Sequence, residues 1–327
     1  MQWESYVDGG VTVSARQQRV ALDRTDTPYT PNSGEEYDIL HLNFPGPRAI
    51  ANFIRAKRHG RPVVIHAHSV GENIADTYRL SHVLAPAIRR YFSTMYAKAD
   101  AVIAVSPCMR DRLRAHGVTE NVVVVSNGVD GAALDGYESL DAPSYGDGPT
   151  VVNLAQVYGI KGVEDFVSVG EALPDTQFVW YGPKHRYLSP RRITQVVENP
   201  PSNVHFPGFV DDKREAFAAG DIFFFPTKRE TQGISILEAA YCGLPIVTRD
   251  IPAFEGWLTH GDNCLKGTSV SEFRDHIEQL RDDPAFRKQL GRNAQQMAAD
   301  HDLETIGQRL REVYESILQT GTVADAV

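Results

Sequence analysis

Residues 221–250 read DIFFFPTKRETQGISILEAAYCGLPIVTRD, and this stretch decides the fold. It opens on "DIFFFPT" (221–227), a short apolar run ended by proline, which reads as a buried strand. A polar loop leads to Gly233, and from there to Cys242 the chain reads as a helix. Gly243 and Pro245 stop it: glycine takes the left-handed conformation at a helix end without steric cost, and proline cannot continue a helix. "PIVTRD" (245–250) is the next strand. Strand–helix alternation with near-continuous apolar strands means a parallel sheet covered on both faces.

The alternation extends in both directions. Upstream, "YDILHLNF" (37–44), "PVVIHAHS" (62–69), "DAVIAVS" (100–106) and "NVVVVSNG" (121–128) read as strands. Helices are expected at 48–60, at 80–99 with an interruption at Pro86, and at 107–117, between Pro107 and Gly117. "DGYESLDAPSYGDGPT" (135–150) breaks the pattern and reads as a linker. Beyond it, strands are expected at 150–156, 177–182 and 203–209, and helices at 161–173, 211–219, 233–242 and 271–281. The chain ends in a helix, "LETIGQRLREVYESIL" (303–318), with an apolar stripe at three- and four-residue spacing. The expected architecture is two α/β units, 1–145 and 150–302, facing across a cleft, with a ligand outside the strands' C-terminal ends.

Bulk properties narrow the function classes. The chain has 327 residues, of which 42% are hydrophobic and 23% charged, an ordinary globular composition. No segment approaches the ~18 uncharged apolar residues of a spanning helix, and no signal peptide is recognised. The three cysteines, Cys108, Cys242 and Cys264, form no CxxC, which argues against a zinc site or disulfide framework and fits a reducing cytoplasm. Net charge is −9, yet residues 48–98 carry nine lysines and arginines against Glu72 and Asp76. An acidic body with one basic segment does not suggest a nucleic-acid binder, but it suits a patch that meets an anionic surface. The bland reading is a set of solvated helix faces.

The chemistry centres on 230–238. Glu230 sits in the loop after a buried strand, and a helix begins near Gly233. Such a start is an anion site: the backbone N–H groups of Gln232, Gly233, Ile234 and Ser235 face outward, and the helix dipole adds about half a positive charge. Gly233 lets a phosphate approach the backbone. Glu238 lies further along, offset by ~12 Å if all eight steps are helical. Carboxylates accept hydrogen bonds from vicinal hydroxyls. One glutamate can hold a sugar and the other a ribose, with a diphosphate between, so the expected ligand is a nucleotide sugar.

This spacing resembles the Glu-x7-Glu signature of retaining glycosyltransferases of family 4, which have the GT-B fold, two Rossmann-like parallel-sheet domains. Further segments agree in order: "DGGVTVSARQQRVAL" (8–22) with an N-terminal glycine loop and helix, "VVIHAHS" (63–69) with a histidine-bearing strand, "VVVVSNGVD" (122–130), and "IKGVEDF" (160–166) with a lysine-glycine motif. "KGVEDFVSVGEALPDTQFVWYG", "NVHFPGFV" and "VTRDIPAFEGWL" resemble most the branch that glucosylates diacylglycerol and related membrane lipids.

The resemblance implies roles. His68 would face the donor sugar, and Lys161 would contact the diphosphate. Glu230 would hold the transferred sugar and Glu238 the ribose. Thr231, Gln232, Gly233 and Ile234 would line the donor site. Gly9 and Gly10 would let the first loop approach phosphate and acceptor. One departure stands out: the family's Gly-Arg pair reads Ala155-Gln156 here, and Gln156 cannot neutralise a diphosphate. Arg229 is a candidate substitute. The terminal helix, about 303–320, would cross back onto the first domain.

The acceptor is expected on the first domain, where helix 80–99 mixes apolar residues with Arg89 and Arg90 and follows Arg79, as a helix on an anionic membrane does. The alternative is a core helix with a solvated face. The expectation is thus a hexosyltransferase, peripherally attached to the cytoplasmic side of a membrane, taking UDP-glucose or a similar donor and a glycerolipid acceptor. No cofactor or divalent metal is expected. His41, His66 and His68 fit no usual ligand spacing, and Asp300-His301-Asp302 reads as surface. The alternatives are a family 4 enzyme with a soluble or polysaccharide-precursor acceptor, and a non-catalytic nucleotide-sugar binder.

Overall fold

The computed structural model describes residues 10–31, 36–44, 46–70, 81–184 and 190–323. The chain divides into two units, one of residues 1–76, 80–128 and 301–327, the other of 77–79 and 129–300.

The first unit runs α1 (Gly10–Arg24), β1 (Leu40–Leu42), α2 (Pro47–Arg58), β2 (Val63–Ala67), α3 (Ser81–Ala97), β3 (Ala101–Ala104), α4 (Pro107–Ala115) and β4 (Val122–Val124). Its described strands form a parallel sheet in the order β1-β2-β3-β4. β2 and β3 are buried along their whole length, which is why they read as unbroken apolar runs. One face packs on α2, α3 and α4 through Phe53, Phe92, Tyr96 and Leu113. Pro86 does not interrupt α3, which runs through it from Ser81 to Ala97.

The second unit runs β5 (Thr150–Leu154), α5 (Val163–Ala172), β6 (Gln177–Tyr181), α6 (Arg191–Glu198), β7 (Val204–Gly208), α7 (Lys213–Ala218), β8 (Ile222–Phe225), α8 (Ile234–Tyr241), β9 (Ile246–Arg249), β10 (Leu265–Gly267), α9 (Val270–Asp282) and α10 (Pro284–Ala299). Its sheet is parallel, in the order β10-β9-β8-β5-β6-β7. Phe166, Phe178, Trp180, Phe224 and Phe273 fill one side of its core. The order reverses at β5: β6 and β7 lie to one side, β8, β9 and β10 to the other. The loops leaving β5 and β8 therefore part at the C-terminal edge, which is where open α/β sheets bind ligands.

The chain then returns to the first unit as α11 (Leu303–Thr320). Its stripe of Ile306, Leu310, Val313 and Ile317 covers the second face of the first sheet together with Leu22 of α1. Gly307 lies against the Ala21 carbonyl, so the two helices meet backbone to backbone. Asp302 caps α11, accepting from the N–H groups of Glu304 at 2.7 Å and Thr305 at 3.0 Å.

The division falls earlier than the linker reading places it. Segment 129–145 belongs with the second unit because its side chains are tied there. Tyr137 donates to the Cys242 carbonyl, Tyr241 donates to Asp135 at 2.8 Å, and Arg214 donates to the Asp135 carbonyl at 3.1 Å.

Candidate functional site

In the second unit, the loop after β5 and the loop after β8 are laced together. Lys228 N–H donates to the Ile160 carbonyl at 2.8 Å, and the Thr227 hydroxyl donates to the same oxygen at 3.3 Å. Gly162 has φ +82°, and a Cβ there would collide with the Pro226 carbonyl oxygen, so glycine is required twice over. This close approach carries Lys161, at the end of a 3-10 turn over Gly159–Lys161, to the loop of Glu230. Lys161 Nζ lies 2.5 Å from Glu230 Oε2, and both side chains are largely buried. The ammonium also stands 5.5 Å from the centre of the Phe225 ring.

Glu230 turns its other oxygen to the Thr231 N–H at 3.1 Å. Gln232 is buried, and Gly233 (φ +94°) forms the N-cap of α8, which begins at Ile234. As a glycine, Gly233 offers no side chain to cap this helix end. Its first-turn amides, beside Lys161, make the positive pole that an anion requires. At the far end, Gly243 N–H bonds the Ala240 carbonyl and Leu244 N–H the Ala239 carbonyl, the paired bonds of a glycine-terminated helix.

Glu238 projects from α8 into the interior, with its side chain 5% exposed. Lys213 Nζ meets its Oε1 at 2.7 Å. Lys213 was not among the expected site residues, although a lysine opening a helix just after a strand's C-terminal end was a usable signal. Gln156 follows β5 at the same edge of the sheet and is half-buried. The neighbouring Ala155 carbonyl accepts from Trp180 Nε1 at 2.7 Å, and Gly182 lies against it. Arg229 is half-buried between Lys228 and Glu230, and its carbonyl accepts from Thr227.

In the first unit, His68 follows β2 and heads a stack of three imidazoles. His66 and His68 lie 4.8 Å apart with planes at 12°, and His41 and His66 lie 5.7 Å apart at 9°. Alternation along β2 places His66 and His68 on one face, beside His41 on β1. Burial holds His41 and His68 down to about 4, with His41 adding to the effect on His68. Burial also pushes His66 well below its usual value. All three are neutral at pH 7. Gln18 of α1 shares a 3.1 Å hydrogen bond with His66 Nδ1. Gln18 also donates to Ser14, and Ser14 to Asn127 at 2.6 Å, while His41 shares a 2.6 Å bond with Tyr314 of α11. Among the described residues, no cluster of His, Cys, Asp or Glu is arranged to hold a metal ion.

Gly10 opens α1 and is exposed, whereas Gly9 and Arg79 lie outside the described residues. Arg89 is half-buried and Arg90 exposed on α3. The apolar residues Phe92, Met95 and Tyr96 of this helix belong to the core. These described apolar side chains of α3 face the sheet rather than forming a free apolar face. Exposed apolar side chains occur instead at Phe44 and at Ile54 on α2, exposed by 42% and 43%. A shallow hollow of about 470 Å³ there is lined by Phe53, Ile54, Lys57, Arg58 and Lys98.

Known proteins resemble the chain along its length. The sequence model of Glycosyltransferase Family 4 matches residues 32–132, and that of Glycosyl transferases group 1 matches residues 148–283. A processive diacylglycerol alpha-glucosyltransferase of Acholeplasma laidlawii is 29% identical over 95% of this chain and 94% of its own length. An alpha-galactosylglucosyldiacylglycerol synthase of Streptococcus pneumoniae is 27% identical over 88% of this chain and 79% of its own. Among solved structures, Anabaena HepE in complex with UDP and glucose superposes with a TM-score of 0.72 at 19% identity, over 95% of this chain and 84% of that one. Sucrose-phosphate synthase of Thermosynechococcus elongatus does so with a TM-score of 0.74 at 20% identity, over 86% and 74%. These last two likenesses show the fold.

Proposed function

The chain belongs to glycosyltransferase family 4 and takes the GT-B fold, and on that premise we propose that it is a retaining hexosyltransferase that moves a hexose from a nucleotide diphosphate sugar, UDP-glucose in the first instance, to a membrane glycerolipid. The observation that carries this reading is the pairing of Lys161 with Glu230 at the sheet's switch point, beside the N-terminus of α8. A diphosphate at that helix end meets Lys161 and the first-turn amides, and these act where negative charge develops on the leaving group. Glu230 then takes the hexose hydroxyls, releasing Lys161 to the phosphate. Glu238, held by Lys213, takes the ribose hydroxyls. His68, neutral and half-buried, serves as a hydrogen-bonding group toward the sugar rather than as a cation.

In the reaction, the bond from the anomeric carbon to the diphosphate breaks. A bond to the acceptor oxygen forms on the same face, and the departing phosphate takes the acceptor's proton. No side chain is assigned as a nucleophile. Lys161 and the helix end carry the diphosphate's charge in place of the missing arginine at Gln156, so the reading includes no resident metal.

Two observations support a lipid acceptor. The relatives named above are diacylglycerol glycolipid enzymes. The first unit also carries an exposed apolar residue, Ile54, among Arg55, Lys57, Arg58 and Lys98, a composition suited to an anionic lipid surface. No described helix is long and apolar enough to cross a membrane, so attachment is peripheral in this reading. The test is incubation with labelled UDP-glucose and a lipid extract. Label in the organic phase supports the proposal. Label only in an aqueous product replaces the lipid with a soluble acceptor, and UDP binding without transfer removes the enzymatic reading.

A further inference from the structure

The sequence "VTRDIP" (247–252) has no role in the donor site as assigned, yet it holds that site's two loops. Arg249 ends β9, beside β8, and its side chain is 16% exposed. Its guanidinium donates in three directions: Nη2 to Asp165 Oδ2 at 2.6 Å, Nη1 to the Thr268 carbonyl at 2.8 Å, and Nε to the Pro226 carbonyl at 3.3 Å. The plane lies 5.0 Å from the centre of the Phe273 ring. Asp165 stands in the first turn of α5, three residues past its N-cap Gly162, and also receives Lys228 at 3.5 Å.

One side chain therefore grips both segments that deliver the ion pair. Pro226 begins the loop to Glu230, and Asp165 follows the turn that ends in Lys161. The Pro226 carbonyl is the joint between them, since Gly162 lies against it and Arg249 donates to it.

We propose that Arg249 is a positioning residue of the donor site, locking the start of α5 to the loop after β8 so that Lys161 and Glu230 meet in fixed geometry. This inference rests on the donor-site reading above. Arg249 touches no substrate in this assignment. A lysine there keeps the charge but lacks the planar fork, and so reaches only part of the set.

The test compares the full-length protein with Arg249→Met, Arg249→Lys and Asp165→Asn. It measures melting temperature, UDP affinity by calorimetry, kcat and KM for UDP-glucose, and amide exchange by mass spectrometry. In folded Arg249→Met, kcat/KM falls on the order of 100-fold, the loss a misplacement of about 1 Å produces. Arg249→Lys recovers part of it, and Asp165→Asn combined with Arg249→Met is no worse than Arg249→Met alone. Exchange across 226–232, which includes the Lys228 amide, quickens, while 303–320 is unchanged. A folded Arg249→Met with unaltered kcat/KM, UDP affinity and exchange overturns the proposal. If the wild-type protein binds no UDP, the donor reading falls, and exchange at 226–232 still decides whether Arg249 locks the segments. If Arg249→Met does not fold, Arg249→Lys and Asp165→Asn carry the same comparisons.

Discussion

Lys213 and Glu238 meet at 2.7 Å across α7 and α8, and the carboxylate is the more deeply buried partner, 5% exposed against 30% for the lysine. Removing the lysine strands a buried charge, whereas removing the carboxylate leaves an ammonium that reaches water. Lys213→Met should therefore cost about 2 kcal/mol of stability, more than Glu238→Gln does. The donor effects run the other way: Glu238→Ala should raise the UDP-glucose KM about ten-fold with a smaller change in kcat, as loss of a ribose contact does. Thermal melts and donor kinetics on all three variants check this. An unchanged KM in Glu238→Ala removes the ribose assignment.

Gly162 offers a sharper structural test. A side chain there meets the Pro226 carbonyl and must also adopt φ +82°. Gly162→Ala should lose at least about 1–2 kcal/mol from the backbone conformation alone. Because the collision pushes the Lys161 turn from the Glu230 loop, donor affinity should fall further than stability does. Calorimetric titration with UDP at a temperature well below the melting point separates the two effects.

The strands β1 to β9 were legible because each is a short apolar run bounded by turn residues, and α11 because its stripe keeps helical spacing. What escaped the sequence has physical reasons. β10 is three residues long with Lys266 at its centre. α6 buries Ile193 on an otherwise polar surface. α10 packs through small residues, with Gly291 against the Gly243 carbonyl and Ala294 and Ala298 buried, so it has little apolar periodicity to read. At the site, Glu230, Glu238 and Gly233 stood out by spacing and helix signals, and Lys161 only through the family resemblance. Lys213, Arg249 and Asp165 did not, because their partners lie 25 and 84 residues away and only the strand order brings them together. The α3 helix shows the converse: its mixture of aromatic and basic residues fits a membrane face and a core helix equally well, and only packing places Phe92, Met95 and Tyr96 in the core.

The stacked histidines set an acid limit. Folding holds His41 and His68 down to about 4 from an ordinary 6.5, through burial. The unfolded chain therefore binds more protons once the pH drops below about 6.5, and stability falls from there towards pH 4. Either histidine contributes on the order of 3 kcal/mol to that loss. His41→Phe should flatten the melting-temperature profile between pH 6.5 and 4 while also losing the bond to Tyr314. A profile as steep in the variant as in the wild type contradicts the assignment.

The charge assignment bears on metal dependence. If Lys161 and the α8 N-terminus neutralise the diphosphate, transfer should persist in EDTA at close to the untreated rate. Lys161→Met should lower kcat about 100- to 1,000-fold, as loss of one preorganised group facing developing charge does. Added magnesium should not restore that variant. Rates in EDTA, and with magnesium returned, decide the matter. Loss of activity in EDTA that magnesium alone restores would show that the protein's own cations are insufficient.

If the acceptor is a membrane glycerolipid as proposed, the basic, partly apolar surface of α2 is where the protein should meet it. Lys57 is engaged with Asp100 at 2.7 Å, which leaves Arg55, Arg58 and Lys98 as the stronger candidates for headgroup contact around Ile54. Each basic residue near an anionic surface contributes about 1 kcal/mol, a contribution that salt screens within a Debye length. Flotation with vesicles rich in phosphatidylglycerol should recover the protein at low salt and much less of it at 0.5 M salt, at roughly a 3–5 Å screening length. Ile54→Asp and the charge reversal Arg58→Glu should each reduce recovery, while leaving the melting temperature within about 1–2 °C because both side chains are at the surface. Zwitterionic vesicles serve as the control. Equal recovery on both vesicle types, or no effect of either substitution, would move the lipid contact away from α2.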